Sequence, residues 1–142
     1  MANKYAAFGA QFQRLISATW TAVAGISKIG DFAVMRDTIE VTTHDSTNFR
    51  EYIGSLADVE EFDITMVFDH EEASHEYFRD QVTNLSNPAG ETFRTVLSTT
   101  AAETWEFTAI VTKFSLSERD IEGRVEATVT FKPTGAPDFD PA

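Results

Sequence analysis

Histidine is the side chain whose charge changes near neutral pH, and this chain has three, at positions 44, 70 and 75. His44-Asp45-Ser46 holds the residue types of a hydrolytic triad. Successive side chains diverge along the chain, however, so nucleophile, base and orienting carboxylate cannot meet in one hydrogen-bonded line. The cluster reads as a turn. His70 and His75 bracket Glu71-Glu72-Ala73-Ser74 and suggest a zinc helix. On a helix the i to i+5 spacing sets the two imidazoles roughly 140° apart, too far round to share an ion. A solvated helix face is predicted there instead. The carboxylate pairs Glu60-Glu61, Glu71-Glu72 and Asp138 with Asp140 have the chemistry of general acids and bases, yet no apolar pocket is implied around them. Gly25 to Gly30 has the wrong spacing for a phosphate loop and no helix after it. No catalytic, cofactor-binding or metal-ligating residue is predicted, and an enzyme is not expected. A small hydrolase or metal enzyme using His44, His70 or His75 is the competing class.

Composition narrows the classes further. The 142 residues suit one domain with a real core. There is no cysteine, which excludes disulfides and thiolate metal sites. The start of the chain, MANKYAAFGAQF, lacks a signal-peptide pattern, and no apolar run nears the roughly 20 residues of a membrane helix. A soluble, unexported protein without membrane binding is expected. With 23 acidic against 11 basic residues, the net charge of -12 repels nucleic-acid phosphates. No basic patch with interleaved aromatics offsets it. Twelve phenylalanines are a heavy aromatic load for a core or a subunit interface.

The elements that must carry these residues are mostly strands. From Ala10 to Val23 two short strands broken near Ser17-Ala18 are predicted, with a helix on Phe8, Phe12, Leu15 and Ile16 as the alternative. In Glu60 to Phe68, Phe62, Ile64, Met66 and Phe68 take one face and Glu61, Asp63 and Thr65 the other. His70 to Asn84 is predicted as a helix, with a stripe of Ala73, Tyr77, Phe78 and Val82. Strands follow at Glu91 to Ser98, Thr104 to Ser117 and Arg124 to Lys132. The second changes parity between Val111 and Phe114, so a bulge is expected near Thr112-Lys113. A charged hairpin connection is expected over Ser117 to Gly123. In the last strand Val125, Ala127, Val129 and Phe131 alternate with Glu126, Thr128 and Thr130. Pro133 is expected to stop it, leaving a tail over residues 133–142. The fold class is therefore mainly β: an antiparallel sandwich or barrel in a single domain, 1–142, with one flanking helix.

One polar stretch does not fit that scaffold. Residues 25–58 are predicted as a long inter-strand loop, with strand-like alternation confined to Thr38 to Thr43. Loops of that length are functional or disordered, and this one is too rich in Ile, Phe and Tyr for disorder. Within it, Ile39, Val41, Phe49, Tyr52, Ile53 and Leu56 are too many apolar side chains to leave in water. Arg36, Asp37, Arg50 and Glu51 could fix register between subunits. These ten residues are the candidate contact arm. The alternative is that the stretch folds back on its own domain.

The ordered set Trp20-Thr21-Ala22-Val23-Ala24-Gly25-Ile26, Arg36 to Ser46 (RDTIEVTTHDS) and Phe49 to Leu56 (FREYIGSL) resembles the major tail tube proteins of long-tailed, lambda-like bacteriophages and gene transfer agents. Ile64 to Asp69, Phe107 to Ser115 (FTAIVTKFS) and Val129 to Pro137 (VTFKPTGAP) extend the resemblance over most of the chain. It implies a β-sandwich with a flanking helix, hexameric rings, and a stacked tube that DNA passes through without specific binding. It implies as partners a tape measure protein, a tail terminator and distal tail or baseplate proteins. It also implies assembly in the bacterial host cytoplasm and a final place in the particle's tail. The ring-forming tube protein of type VI secretion is the related alternative. No extra immunoglobulin-like domain is expected. By this resemblance the wet positions Glu61, Asp63, Thr65, Glu126, Thr128 and Thr130 would line the lumen. Parity gives faces only, and an outward, solvated face fits these residues equally.

Overall fold

The computed structural model describes residues 10–43, 48–69, 71–86, 88–96, 104–116 and 125–139. It contains strands β1 (Gln11–Ile16), β2 (Thr19–Ala22), β3 (Ile26–Ile29), β4 (Val34–Glu40), β5 (Tyr52–Val59) and β6 (Phe62–Val67), then helix α1 (Ala73–Gln81). Strands β7 (Glu91–Val96), β8 (Thr104–Leu116) and β9 (Glu126–Asp138) complete it. Among the described residues seven strands form one antiparallel sheet in the order β2-β1-β7-β8-β9-β6-β3, and β4 and β5 pair with each other in a second.

The large sheet curls. Four strand steps separate β1 from β6, which would be about 19 Å in a flat sheet. Yet the rings of Phe12 on β1 and Phe62 on β6 lie 6.2 Å apart, so one face wraps round a shared core. That core is phenylalanine: Phe12, Phe78, Phe93 and Phe131 have no exposed surface, and Phe62 and Phe107 almost none. Phe12 touches Phe62, Phe78, Phe93, Phe107 and Phe131, with centroids 5.1 to 6.4 Å apart. The alternating patterns of β6, β8 and β9 supply it from the sheet, and Phe78 supplies it from the helix. The arrangement is mainly β and antiparallel with one helix, as expected. Among the described residues the sheet is open, not a closed barrel, and its edge strands β2 and β3 follow one another in the chain.

Several local expectations hold. The first two strands break at Ser17 and Ala18, which turn through φ of 48° and 65°. The β8–β9 register shifts between Val111 and Lys113, where the parity change places the bulge. Phe114 then packs against the core from the other parity. The helix forms inside 70–84, but its buried residues are Ser74, His75 and Phe78, while Ala73 is exposed.

Two expectations are corrected. Residues 25–58 are not a long loop: β3, β4 and β5 lie in them. Nor does Pro133 end the last strand, since β9 runs on to Asp138 opposite β8. The β6 partner ends at the Phe62↔Phe131 pair, so Pro133 sits where β9 has no neighbour in the sheet on one side and a missing N–H can be tolerated. Two extra β9 residues are then absorbed near Gly135, at φ 75°, between the Thr108↔Thr134 and Glu106↔Asp138 pairs. The Ser117 to Gly123 connection lies outside the described residues.

Candidate functional site

Strands β4 and β5 form a two-stranded ribbon joined to the body at its base. There Glu60 N–H donates to the Ala33 carbonyl at 2.9 Å. Lys132 Nζ donates to the Val59 carbonyl at 2.9 Å and to the Asp58 carboxylate at 3.2 Å. Val59 is buried, and every residue of β4 is exposed. The ladder shifts register between Arg36 and Thr38, then aligns Ile39 with Ile53 and Glu40 with Tyr52. Arg36 lies flat across Gly54: its Nε donates to the Ser55 carbonyl at 2.9 Å, and a Cβ at Gly54 would come within 2.5 Å of the guanidinium. Past the ladder, Val41 N–H donates to the Glu51 carbonyl at 2.8 Å, and Glu51 N–H to Thr42 Oγ1 at 3.0 Å.

All ten candidate contact residues lie on this ribbon or its tip, and all are exposed. Leu56 and Phe49 keep 82% and 80% of their surface in contact with solvent. Val34 and Met35 widen the apolar surface and were not among the candidates. A two-stranded hairpin is marginal in water by itself, and this one covers little of its own apolar surface. Among the described residues the stretch does not fold back over the core. The fragment His44-Asp45-Ser46 is outside those residues.

The polar positions meet on the convex face of β6 and β9. Asp63 pairs with Thr130, Thr65 with Thr128, and Val67 with Glu126. Thr130 Oγ1 donates to Asp63 Oδ1 at 2.7 Å. Glu61, just before β6, shares the parity of Asp63 and is exposed with it, whereas Thr65, Glu126, Thr128 and Thr130 are half-buried. A groove of about 640 Å³ runs along this face and adds Lys28, Asp31 and Glu60 to the set. Lys28 could not be placed here from the sequence because β3 reaches the site only through its pairing with β6, Lys28 opposite Thr65. The groove thus gathers Asp31, Glu60, Glu61 and Asp63 around one lysine, a surface that repels anions.

The histidine expectation is partly overturned. His70 lies outside the described residues, but His75 is buried, 1% exposed, and not on a solvated face. Asp69 N–H donates to its Nδ1 at 3.0 Å, which leaves the proton on Nε2 to be donated to the Ala24 carbonyl at 2.7 Å. The imidazole stacks on Phe68 and pins the start of α1 to the corner between β2 and β3. Both nitrogens are engaged with backbone, so His75 is no base for its neighbour Ser74.

Ser74 is itself held by Arg14, whose Nε donates to Ser74 Oγ at 3.1 Å. The Arg14 guanidinium stacks over Tyr77, 4.1 Å from its centroid. Burial, then the charge of Glu91 and a hydrogen bond to it, push the Tyr77 phenol up to about 12. Burial also lowers Arg14, against the pull of Tyr77, Glu91 and Glu72. This cluster fastens helix to sheet. Among the described residues no group of three or more His, Asp or Glu side chains could hold a metal ion, and no helix is long and apolar enough to cross a membrane.

No family model matches the chain, and no curated protein matches it in sequence. Solved structures do match in fold. A chain from the tail of an empty gene transfer agent particle, solved with C6 symmetry, superposes with a TM-score of 0.72 at 14% identity, covering 92% of this chain and 95% of that one. A chain from the sixfold-symmetrised baseplate of the anti-feeding prophage gives 0.78 at 8% identity, covering 95% of each. The SPP1 tail tube gives 0.60 at 12% identity, covering 93% of this chain and 77% of that one. The fold is therefore one shared with chains of phage-like tails, tubes and baseplates.

Proposed function

We propose that this chain is a non-enzymatic structural subunit that self-assembles into hexameric rings, stacked as the tail tube of a phage or phage-like particle. The observation that carries this is the β4–β5 ribbon, whose apolar side chains are exposed, on a fold shared with chains of a sixfold-symmetric tail and a sixfold-symmetrised baseplate. Arg36, Asp37, Ile39, Val41, Phe49, Arg50, Glu51, Tyr52, Ile53 and Leu56 make the contact between subunits. Apolar area drives the association, and the charges set its register.

The convex face of Glu61, Asp63, Thr65, Glu126, Thr128 and Thr130 lines the lumen in this proposal. Carboxylates there keep a phosphate backbone from adhering, so DNA slides through without specific binding. The tube ends and contents call for a tape measure protein, a tail terminator and distal tail or baseplate proteins. Assembly takes place in the cytoplasm of a bacterial host. The alternative is the tube of a contractile injection or type VI secretion system, favoured by the likeness in fold to a solved chain of an extracellular contractile injection system.

Negative-stain microscopy of the purified chain at rising concentration tests the proposal. Rings or tubes of uniform bore are expected. A chain that stays monomeric even with an initiating tail complex refutes it. Loading the assembled tubes with DNA or with candidate protein cargo separates the two kinds of tube.

A further inference from the structure

An apolar cavity of about 150 Å³ opens where α1 ends against the sheet. Val82, Leu85 and Pro88 form its outer wall, and Phe93 and Ile110 its floor. Gly90 lines it as well: at φ 82° it passes so close to β8 that a Cβ would collide with the Ala109 carbonyl and meet Ile110 Cγ1 at 3.1 Å. A volume of about 150 Å³ accommodates one benzene ring, so the slot has room for a single aromatic side chain.

Two further observations say what belongs in it. The three most exposed large apolar residues described are Leu85, Leu56 and Phe49, at 89%, 82% and 80%. Leu85 stands at the rim of the slot, and the other two belong to the ribbon. The charges also match. The slot lies at the C-terminal, partially negative end of α1 and beside Glu91, and Phe49 is followed directly by Arg50.

We infer that the slot receives the Phe49 ring of a second copy of this chain, with Arg50 of that copy over the helix end and Glu91. The inference rests on the ribbon being a contact between subunits, and it names the surface that the ribbon meets. Engagement covers Phe49 and Leu85 together, two of the three most exposed large apolar residues described, in one contact.

The chain has no cysteine, so disulfide trapping reads this contact directly. Phe49→Cys copies are mixed with mass-tagged Leu85→Cys copies under assembling conditions, oxidised, and resolved on non-reducing gels and by mass spectrometry. The control partner is Leu116→Cys, exposed and apolar but about 16 Å further along β8 than Val111. A mixed Phe49–Leu85 product at least about tenfold above the Phe49–Leu116 product supports the slot. Phe49→Ala should then raise the concentration needed for assembly about ten- to hundredfold, the worth of burying one phenylalanine. Assembly in which Phe49→Cys traps the Leu116→Cys copies, or only itself, overturns the slot while the ribbon contact stands. Assembly with no product at Phe49 and no effect of Phe49→Ala overturns both, as does a chain that never associates.

Discussion

Replacing Phe49 and Leu56 together by serine should abolish assembly and leave the subunit folded. Each side chain has about four-fifths of its surface still to be covered. Fully burying such a residue is worth about 1.5–3 kcal/mol, so each has roughly 1.2–2.4 kcal/mol left to contribute and the pair about 2.4–4.8 kcal/mol. That amounts to a loss of roughly 50- to 3,000-fold in the association constant per contact. Folding should be insensitive to the same change, within about 0.5 kcal/mol, because exposed substitutions away from caps and turns rarely cost more. The contrast is Phe12→Ala, which empties the centre of the phenylalanine core and should cost about 3–5 kcal/mol of stability. Sedimentation velocity over a concentration series measures the first effect, and urea denaturation of the dilute subunit the second. If the double serine variant loses several kcal/mol of folding stability, the ribbon belongs to the core. If it associates like the parent chain, the ribbon is not a subunit contact.

The Tyr77 phenol gives a pH signature. Its value is raised to about 12 in the folded chain from an ordinary 10.0. A raised group contributes its full stability below the unfolded value and loses it as pH climbs through the folded one. Thermal denaturation should therefore show the parent chain losing ground to Tyr77→Phe between about pH 10 and 12, and parallel curves would mean that burial and Glu91 do not raise the phenol. At the lumen, Glu61→Lys with Glu126→Lys should leave the fold intact but slow DNA passage and make it salt-sensitive. Normal delivery by particles carrying both changes at low salt would mean that this face points elsewhere.

Strand parity made most of the sheet legible. Phe62, Ile64 and Met66, and Ala127, Val129 and Phe131, announced their buried faces because the opposite faces are polar and the period is two. The break at Ser17-Ala18 and the bulge after Val111 were equally readable, since each interrupts a pattern that continues on both sides. The ribbon was not readable as strands. Both of its faces meet solvent, so alternation marked only Thr38 to Thr43, the end of β4 and just beyond, and β5 contains Gly54, Ser55, Ala57 and Asp58 in place of β-formers. What did show was the excess of Ile, Phe, Tyr and Leu in a polar segment. His75 was missed for another reason. The buried stripe of α1 is Ser74, His75 and Phe78, and two polar side chains satisfied by Arg14 and by backbone do not register as apolar periodicity. The edge role of Pro133 depends on where β6 stops, which only tertiary pairing determines.

The junction between β5 and β6 has a mechanical consequence. Only Glu60 and Glu61 separate them, and β6 is laced to β9 by six consecutive pairs from Phe62↔Phe131 to Val67↔Glu126. A pull on the ribbon along β6 therefore reaches the subunit as shear, with every hydrogen bond of that ladder loaded at once instead of unzipped one by one. On its other edge β6 is held by β3, whose register adds Lys28↔Thr65 and Ile29↔Ile64. Tension entering through the least covered part of the chain is thus borne by strands anchored on Phe62, Ile64, Val129 and Phe131, in the most densely packed part.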